Sequence, residues 1–321
     1  MTTNTVRAIA AAAAALFLVA VPYAAEPRPG SFGVGALRRD GVVIPFAAFD
    51  GRGWSSSWPA PAVDVTVPIT VRAVPARWWG PTGPLETWQA WLEKPGASAL
   101  EASPLRVVQP DWVDVHCRRQ VGLRTDYRAD RPMPPRTEQP YPKDGVAVSP
   151  AQPVDRIEIA SANPQDLRTL APVLRSAFND AERSVEAKTN HPIGRSSREG
   201  VEPTIEAVYA FGDNPRVYYV EATRTYRTLG QSAGECAAIG FGTGWFVRDA
   251  AGVRALAMTV DLLGCDRNFA SYMLPFGVMR LNDHVYWIAQ FSGWDHERFV
   301  ILDIGRKSVE VMVSAWGGSC S

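Results

Sequence analysis

The chain has 321 residues, its 33 Lys and Arg side chains are balanced by 33 Asp and Glu, and 46% of its residues are hydrophobic. This length allows two domains or one large all-β domain, and the charge balance argues against a nucleic-acid or anionic-membrane partner. The sequence predicts no cofactor and no metal, because its cysteines lack C-x-x-C spacing and no Gly-rich loop leads into a helix.

The first 25 residues are typical of a secretory signal peptide. Arg7 precedes an uncharged, Ala-rich run from Ala8 to Val21, and the small pair Ala24-Ala25 follows it. This run is shorter than the roughly 20 apolar residues that a transmembrane helix needs. We therefore expect an exported protein, periplasmic or extracellular, with no membrane span apart from this segment; an uncleaved N-terminal anchor is the alternative.

Residues 26–130 predict a small Trp-rich β-domain. Val42 to Phe49 is a buried strand between turn dipeptides, and Trp112 to Tyr127 predicts one long strand that carries His116 and Cys117. Seven of the 11 tryptophans lie in the first 112 residues, which indicates either an aromatic core or a surface on which sugar rings stack. Four of them have Gly or Pro close by, so we expect them near turns as candidate glycan-binding residues: Trp54, Trp58, Trp78 and Trp79.

Residues 131–155 predict a Pro-rich linker between two domains. Seven prolines lie between Pro132 and Pro153, and proline can neither donate a ladder hydrogen bond nor leave its fixed φ. We therefore expect an extended segment that joins a sheet poorly, and we place the domain boundary here.

Residues 156–321 begin with an amphipathic helix. Asn163 followed by Pro164 is a helix start, and Pro172 predicts either a kink or a short helix followed by a longer one from Ala171 to about Glu186. Apolar residues then recur every three or four positions on one face, which should pack on the following sheet: Leu167, Leu170, Leu174, Ala177, Phe178, Ala181 and Val185.

An antiparallel β-meander of seven or eight strands occupies Thr204 to Trp316. Apolar residues alternate with period two after His284 and again after Phe299, and turns such as Asn282-Asp283 separate the runs. Many of these strands are apolar on both faces, so something covers the sheet or it curls on itself. The fold class is therefore mainly β (α+β), with a single β-propeller as the alternative architecture.

The four cysteines predict two disulfide bonds in an oxidising compartment. If Arg248 faces Val253 across a tight turn, Cys236 falls opposite Cys265, at a separation that suits a disulfide. The second pair is then Cys117 with Cys320, which ties the first half of the chain to its C-terminus.

The sequence Gly230 to Gly234 is a G-x-S-x-G motif with Ser232 at its centre. In α/β-hydrolases this motif turns a strand into a helix and is followed by an acid and a histidine. Here Asp261, Asp266, Asp283, His284 and His296 follow, but no amphipathic helix does. A turn next to a structural disulfide is the favoured interpretation, and a catalytic Ser232 is the alternative.

Other polar groups are interpreted as structural. Asp283-His284 and Asp295-His296-Glu297 flank one predicted strand and stand roughly 25 Å apart, too far to share a metal ion. Gly240 to Gly244 precedes a strand instead of a helix, which argues against nucleotide binding. His116 is expected in a strand near a disulfide, and His191 in a loop with no acidic neighbour nearby in sequence.

The sequence therefore predicts a non-catalytic exported protein that acts through binding or structural contacts. Its expected partner is a polysaccharide or peptidoglycan, bound through exposed tryptophans, or else an envelope protein. A secreted serine hydrolase that uses Ser232 is the alternative.

Overall fold

The computed structural model describes residues 30–61, 68, 70–228 and 235–320. The expected signal peptide and the Ser232 motif therefore lie outside the described residues. The described chain is mainly β, with antiparallel sheets and one long helix, as the sequence predicts.

The N-terminal half forms a closed ring of six antiparallel strands. Its elements, with a short helix between the third and fourth strands, are β1 (Phe32–Arg38), β2 (Val42–Phe49), β3 (Trp54–Ser55), α1 (Ala76–Trp79), β4 (Thr87–Leu92), β5 (Glu101–Val115), β6 (Arg118–Thr125) and β7 (Lys143–Ser149). The order β1-β7-β4-β5-β6-β2 closes because β1 also pairs with β2, and β3 adds to the end of β2. We call these six strands the ring. Apolar side chains from all six meet in one core cluster.

The Pro-rich segment contributes a strand to this ring. β7 lies between β1 and β4 and forms ladders with both. The expectation that residues 131–155 join a sheet poorly is therefore wrong for this part. The reason is local: Pro142 and Pro150 stand immediately outside β7, so no proline interrupts the ladder.

The long strand expected from Trp112 to Tyr127 is a hairpin. β5 ends at Val115, β6 begins at Arg118, and the turn residues His116 and Cys117 have φ of 26° and 60°. Non-glycine residues seldom adopt positive φ, and no Gly or Asn marks this turn in the sequence. Because the alternating pattern continues on both sides of this turn, the sequence did not indicate where the first strand ends.

The C-terminal half stacks two antiparallel sheets and a helix. Its elements are β8 (Glu158–Ile159), α2 (Pro164–Glu186), α3 (Arg195–Arg198), β9 (Thr204–Phe211), β10 (Arg216–Tyr226), β11 (Ala238–Asp249), β12 (Gly252–Leu263), β13 (Tyr272–Leu281), β14 (His284–Ser292), β15 (His296–Ile304) and β16 (Val309–Ser319). The eight predicted meander strands, β9 to β16, divide between β12 and β13. The outer sheet has the order β12-β11-β10-β9-β8, and the middle sheet has the order β13-β14-β15-β16.

The middle sheet lies between the ring and the outer sheet, which explains why its strands are apolar on both faces. On one face the Phe299 ring stacks on Phe46 of the ring, with centroids 5.2 Å apart. On the other face Trp287 meets Trp245 of the outer sheet edge-on at 5.0 Å. The expectation of a covered sheet is confirmed, and the described strands form stacked sheets in place of the propeller alternative.

Helix α2 covers the far face of the outer sheet. The Asn163 side chain accepts hydrogen bonds from the first-turn backbone, and the helix runs unbroken through Pro172, so the two-helix alternative is wrong. Leu170, Leu174 and Phe178 pack on β9 to β12. A Cβ at Gly242 would lie 2.5 Å from the Phe178 ring, so this close approach requires glycine.

Two buried acids fix α2 to the outer sheet. Asp166 accepts a hydrogen bond from the Tyr218 hydroxyl at 2.7 Å. It also forms salt bridges with Arg216 and Arg248. Glu182 accepts a hydrogen bond from Arg224 at 2.9 Å and another from the Tyr226 hydroxyl of β10. Buried carboxylates need such partners, so these contacts set where the helix sits along the sheet.

Both predicted cysteine pairs are disulfide-bonded. Cys117 joins Cys320 with Cα atoms 5.0 Å apart, and Cys236 joins Cys265 with Cα atoms 6.0 Å apart. Arg248 faces Val253 as expected. A bulge between Trp245 and Phe246 then shifts the pairing of β11 with β12 by one residue over the rest of the ladder. Two disulfide bonds are typical of exported proteins. Within the described ranges, no helix has the length and apolar character needed to cross a bilayer.

Candidate functional site

The Gly230 to Gly234 motif lies outside the described residues, and it precedes the Cys236 disulfide in the chain. The hypothesis of a catalytic Ser232 therefore stays a prediction.

The four tryptophans expected to bind glycans pack against core clusters, two of them buried and two half-buried. Trp58 and Trp79 are buried, and the indole nitrogen of Trp58 donates a hydrogen bond to a β6 carbonyl oxygen at 2.8 Å. Trp78 is half-buried against Trp58 at 5.5 Å, and the half-buried Trp54 meets Tyr286 of the middle sheet at 5.4 Å. These placements correspond to the aromatic-core alternative, not to an exposed stacking surface.

The two polar groups that flank β14 lie at opposite ends of this strand. Asp283 lies in the tight turn before it with φ of 67°, and the Nδ1 of His284 is 2.6 Å from a carboxylate oxygen of Asp303. Among the residues with described positions, no three His, Cys, Asp or Glu side chains are arranged to hold a metal ion.

The structure adds contacts to two other groups that the sequence singled out. His191 was expected to have no acidic neighbour nearby in sequence, and in the structure its Nε2 lies 3.5 Å from a carboxylate oxygen of Glu182 in α2. Gly240 to Gly244 lies within β11 instead of before a strand, and its glycines admit the Phe178 and Met258 side chains. The contacts with Glu182 and Phe178 depend on how α2 docks, and the contact with Met258 depends on how β11 pairs with β12, so sequence spacing alone could not reveal them.

A cleft of about 680 Å³ opens between the outer sheet and the exposed edge of the middle sheet. Its apolar floor comes from β14, β15 and β16, and polar side chains from the loops that precede β13 and β15 line one end. Several side chains used below line it: Ser271, Asp295, His296, Arg298, Ser314 and Trp316. We call this space the Trp316 cleft.

The cleft exists because the outer sheet does not extend over β16. Val300 and Leu302 of β15 are buried beneath the outer sheet. On the neighbouring strand β16, by contrast, Val311 is 63% exposed and Trp316 is 47% exposed. Large apolar side chains on an uncovered sheet face mark a surface suited to an interaction.

Trp316 is held in a fixed orientation by its neighbour on β15. Arg298 is its cross-strand partner, and the guanidinium carbon lies 4.2 Å from the centre of the indole ring. A cation above an aromatic face stabilises the arrangement by about 0.5–1 kcal/mol at an exposed site. One face of the indole is therefore occupied, while nearly half of its surface remains accessible.

A chain of hydrogen bonds joins Ser271, His296 and Asp295 at the polar end of the cleft. The His296 Nδ1 lies 2.7 Å from Asp295 Oδ1, and the His296 Nε2 lies 3.2 Å from the Ser271 hydroxyl oxygen. A carboxylate can only accept, so Nδ1 of the neutral ring carries the proton and Nε2 accepts from the serine hydroxyl. The arrangement places a hydroxyl against a base whose orientation a third group fixes.

The topology of the middle sheet brings these residues together. β13 and β15 run in the same direction on either side of β14, so Ser271, just before β13, and His296, which begins β15, share one end of the sheet. Gly293 lies between them, and a Cβ there would lie 2.8 Å from the His296 ring. The absence of a side chain at this position lets the imidazole reach across the end of β14.

A buried ion pair lies under this end of the sheet. Lys143 of the ring donates hydrogen bonds to Glu297 at 2.8 Å and to the Tyr141 carbonyl at 2.7 Å, and both charged side chains are fully buried. Burial lowers the pKa of Lys143, and Glu297 opposes that change. Because Glu297 follows His296, this contact fixes the start of β15 to the ring.

A second buried acid lies near the start of β13. Glu221 of β10 accepts a hydrogen bond from the Met273 backbone nitrogen at 2.7 Å. Burial raises the pKa of Glu221 to about 7, because removal from water disfavours the charged form, and the Met273 hydrogen bond opposes the rise. This carboxyl therefore changes charge near neutral pH at the interface of the outer and middle sheets.

The sequence analysis named Asp295 and His296 but interpreted them as structural residues, and it did not point to Ser271. Ser271 belongs to no motif and lies 25 residues from His296. The available signal was the antiparallel order itself, since alternate strands of a meander begin at the same end of the sheet. The sequence analysis also did not single out Trp316. Its strand has the same alternating pattern as the buried strands before it, so the pattern gave no sign that Trp316 is exposed.

No protein-family model, curated protein or solved structure matches this chain. The fold and the Trp316 cleft define the molecule as a mainly β, disulfide-bonded protein with an open cleft between two sheets.

Proposed function

We propose that this protein is an exported binding protein of the cell envelope or exterior, and that it holds a sugar ring of a polysaccharide in the Trp316 cleft. The observation that carries the proposal is the exposed indole of Trp316, fixed by Arg298 in a cleft with polar groups at one end. The proposed site replaces the N-terminal tryptophans, whose rings are taken up by core packing.

The chemistry of the cleft suits a sugar ring. Such a ring has an apolar face, which stacks on an aromatic side chain, and hydroxyl groups at its edge, which need hydrogen-bonding partners. Trp316 offers the aromatic surface, while Ser314, Asp295 and His296 line the same space with donors and acceptors. A purely apolar ligand would form no hydrogen bond with any of these polar groups.

Export supports this choice of ligand. The Ala-rich N-terminal run and the two disulfide bonds are both features of exported proteins. Polysaccharides and peptidoglycan are the ligands that such a compartment supplies, and an envelope protein is the competing partner.

Co-sedimentation with peptidoglycan and a panel of insoluble polysaccharides tests the proposal. We expect retention of the wild-type protein on one member and at least about tenfold weaker binding after Trp316→Ala, the effect of losing a contact of about 1.5 kcal/mol. Trp294→Ala is the matched control, because Trp294 is 56% exposed but does not line the cleft. Equal loss in both variants, or no retention on any member, would contradict the proposal and favour a protein partner.

The hydrolase alternative is tested separately. A fluorophosphonate label that is lost on Ser232→Ala would support catalysis by the Gly230 to Gly234 motif. Labelling that persists in this variant would leave the motif as a turn beside the disulfide.

A further inference from the structure

We propose that the Trp316 cleft also carries out acyl transfer, with Ser271 as the nucleophile, His296 as the general base and Asp295 as the group that orients the base. The substrate class is a carboxylic ester. This inference goes beyond ligand binding and does not require the ligand to be a glycan.

Geometry is the first argument. A serine hydroxyl is a weak nucleophile unless a base within hydrogen-bond reach removes its proton, and a third group must hold that base in the correct tautomer. The distances of 3.2 Å from His296 Nε2 to Ser271 and 2.7 Å from His296 Nδ1 to Asp295 meet both requirements. The tautomer follows from Asp295, whose carboxylate can only accept.

Access is the second argument. His296 and Asp295 are 23% and 17% exposed, so solvent and substrate reach the base while its partners still constrain it. All three side chains line the cleft, whose apolar floor can take the hydrocarbon part of an ester. A serine–histidine contact in a closed core would have no room for a substrate.

Support from the surrounding fold is the third argument. The backbone on both sides of His296 is anchored: Gly293 N donates to the His296 carbonyl oxygen at 3.0 Å, and Cys320 N donates to the Asp295 carbonyl oxygen at 2.9 Å. Cys320 is itself tied to the ring by its disulfide. Catalytic groups are most effective when rigid elements hold them in this way.

The reaction proceeds in two balanced steps. The Ser271 oxygen bonds to the ester carbonyl carbon as its proton moves to His296 Nε2, and the bond to the alcohol oxygen then breaks as that oxygen takes the proton. Water next gives a proton to Nε2 and attacks the acyl-serine. The carboxylic acid leaves, and the Ser271 oxygen regains the proton. Water is the only co-reactant.

The test is reaction of the purified full chain with a fluorophosphonate probe, followed by peptide mapping of the labelled residue. We expect the label on Ser271 of the wild-type protein, a result that depends on no variant. His296→Gln should slow labelling by about 10²- to 10⁴-fold, the usual contribution of a general base. Asp295→Asn should also slow it, because an amide can donate to Nδ1 and so favours the wrong tautomer.

Ser308→Ala is the matched control, because Ser308 is exposed in the turn before β16 and does not line the cleft, and it should label at the wild-type rate. A non-reduced peptide map checks that each variant keeps both disulfides. An unlabelled wild-type protein, or a label on Ser232 or any other serine, would overturn the assignment. Retention on a polysaccharide without labelling at Ser271 would overturn it while leaving the binding proposal standing.

Discussion

The ring and the Trp316 cleft use tryptophan in opposite ways. Three tryptophans between β3 and β4, which we call the ring tryptophans, pack against the core of the ring: Trp58, Trp78 and Trp79. Trp78 and Trp79 contact Trp58 with ring centroids 5.5 and 5.2 Å away, and two of the three are buried. In the cleft, Trp316 stands on an uncovered strand with Arg298 against one face of its ring. The dense aromatic region therefore stabilises the fold, whereas the exposed indole of Trp316 lines a cleft that is open to a ligand.

This difference follows from topology more than from composition. The segment between β3 and β4 packs on the closed ring, so Trp58 and Trp79 are removed from water in the core cluster of the ring. The middle sheet ends at β16, beyond the reach of the outer sheet, so an identical side chain there stays exposed. Aromatic density in a sequence is thus a better guide to a core than to a binding surface.

The most direct test of whether the ring tryptophans stabilise the fold is to remove one of them. Trp79→Ala should lower the free energy of unfolding by about 3–5 kcal/mol, because it leaves a cavity in the ring core. Urea unfolding at equilibrium measures the change, and Trp294→Ala should alter it by less than about 0.5 kcal/mol. If the two substitutions cost the same, the ring tryptophans do not form a core.

Breaking the buried ion pair between the ring and the middle sheet should lower the free energy of unfolding by a comparable amount. Lys143→Met leaves Glu297 as a buried charge without its ion-pair partner, which should cost about 3–5 kcal/mol of unfolding free energy. The double variant Lys143→Met, Glu297→Leu should regain most of that loss, since neither charge is then buried. A double variant as unstable as the single one would show that packing, not charge, decides stability here.

The interface of the two stacked sheets should respond to pH. The pKa of Glu221 rises from 4.5 to about 7 on folding, so the folded state binds more protons and stability falls as the pH rises through this window. The shift corresponds to about 3 kcal/mol at pH values above both pKa values. Glu221→Gln should therefore be more stable than the wild type at pH 8 and lose most of this advantage at pH 4. Thermal unfolding across this range measures it; parallel curves for the two proteins would contradict the assignment.

The smallest effect on stability should come from the cleft. Trp316→Ala removes an exposed ring and one cation–π contact, so the free energy of unfolding should fall by only about 0.5–1 kcal/mol. The same urea titration used for Trp79→Ala provides the measurement. A loss as large as that of Trp79→Ala would place Trp316 among the residues that stabilise the fold.

Much of the fold could be predicted from the sequence because local patterns report it. The alternation of the meander, the Asn163 cap and the period of α2 all arise from residues close together in the chain. The two disulfide pairs matched because hairpin register brought Cys236 near Cys265 despite a one-residue bulge, leaving one other pair. Each of these inferences needed only neighbouring strands or turns.

The remainder depends on contacts between distant segments. β7 joins the ring because its flanking prolines fall outside the ladder, and the β5–β6 turn has residues that rarely take positive φ. Ser271 meets His296 only after three strands have paired, and Trp316 is exposed only because another sheet ends short of it. No local pattern carries this information.

The central claim, that the ligand binds at Trp316 and not at the N-terminal tryptophans, is tested most directly by NMR. The 11 indole N–H signals of uniformly ¹⁵N-labelled protein would be followed during titration with a soluble fragment of the retained polysaccharide, with Trp316→Phe assigning its signal. We predict that the Trp316 signal shifts most, while those of Trp58, Trp78 and Trp79 stay in place. Shifts confined to these ring signals, with Trp316 unmoved, would contradict the account.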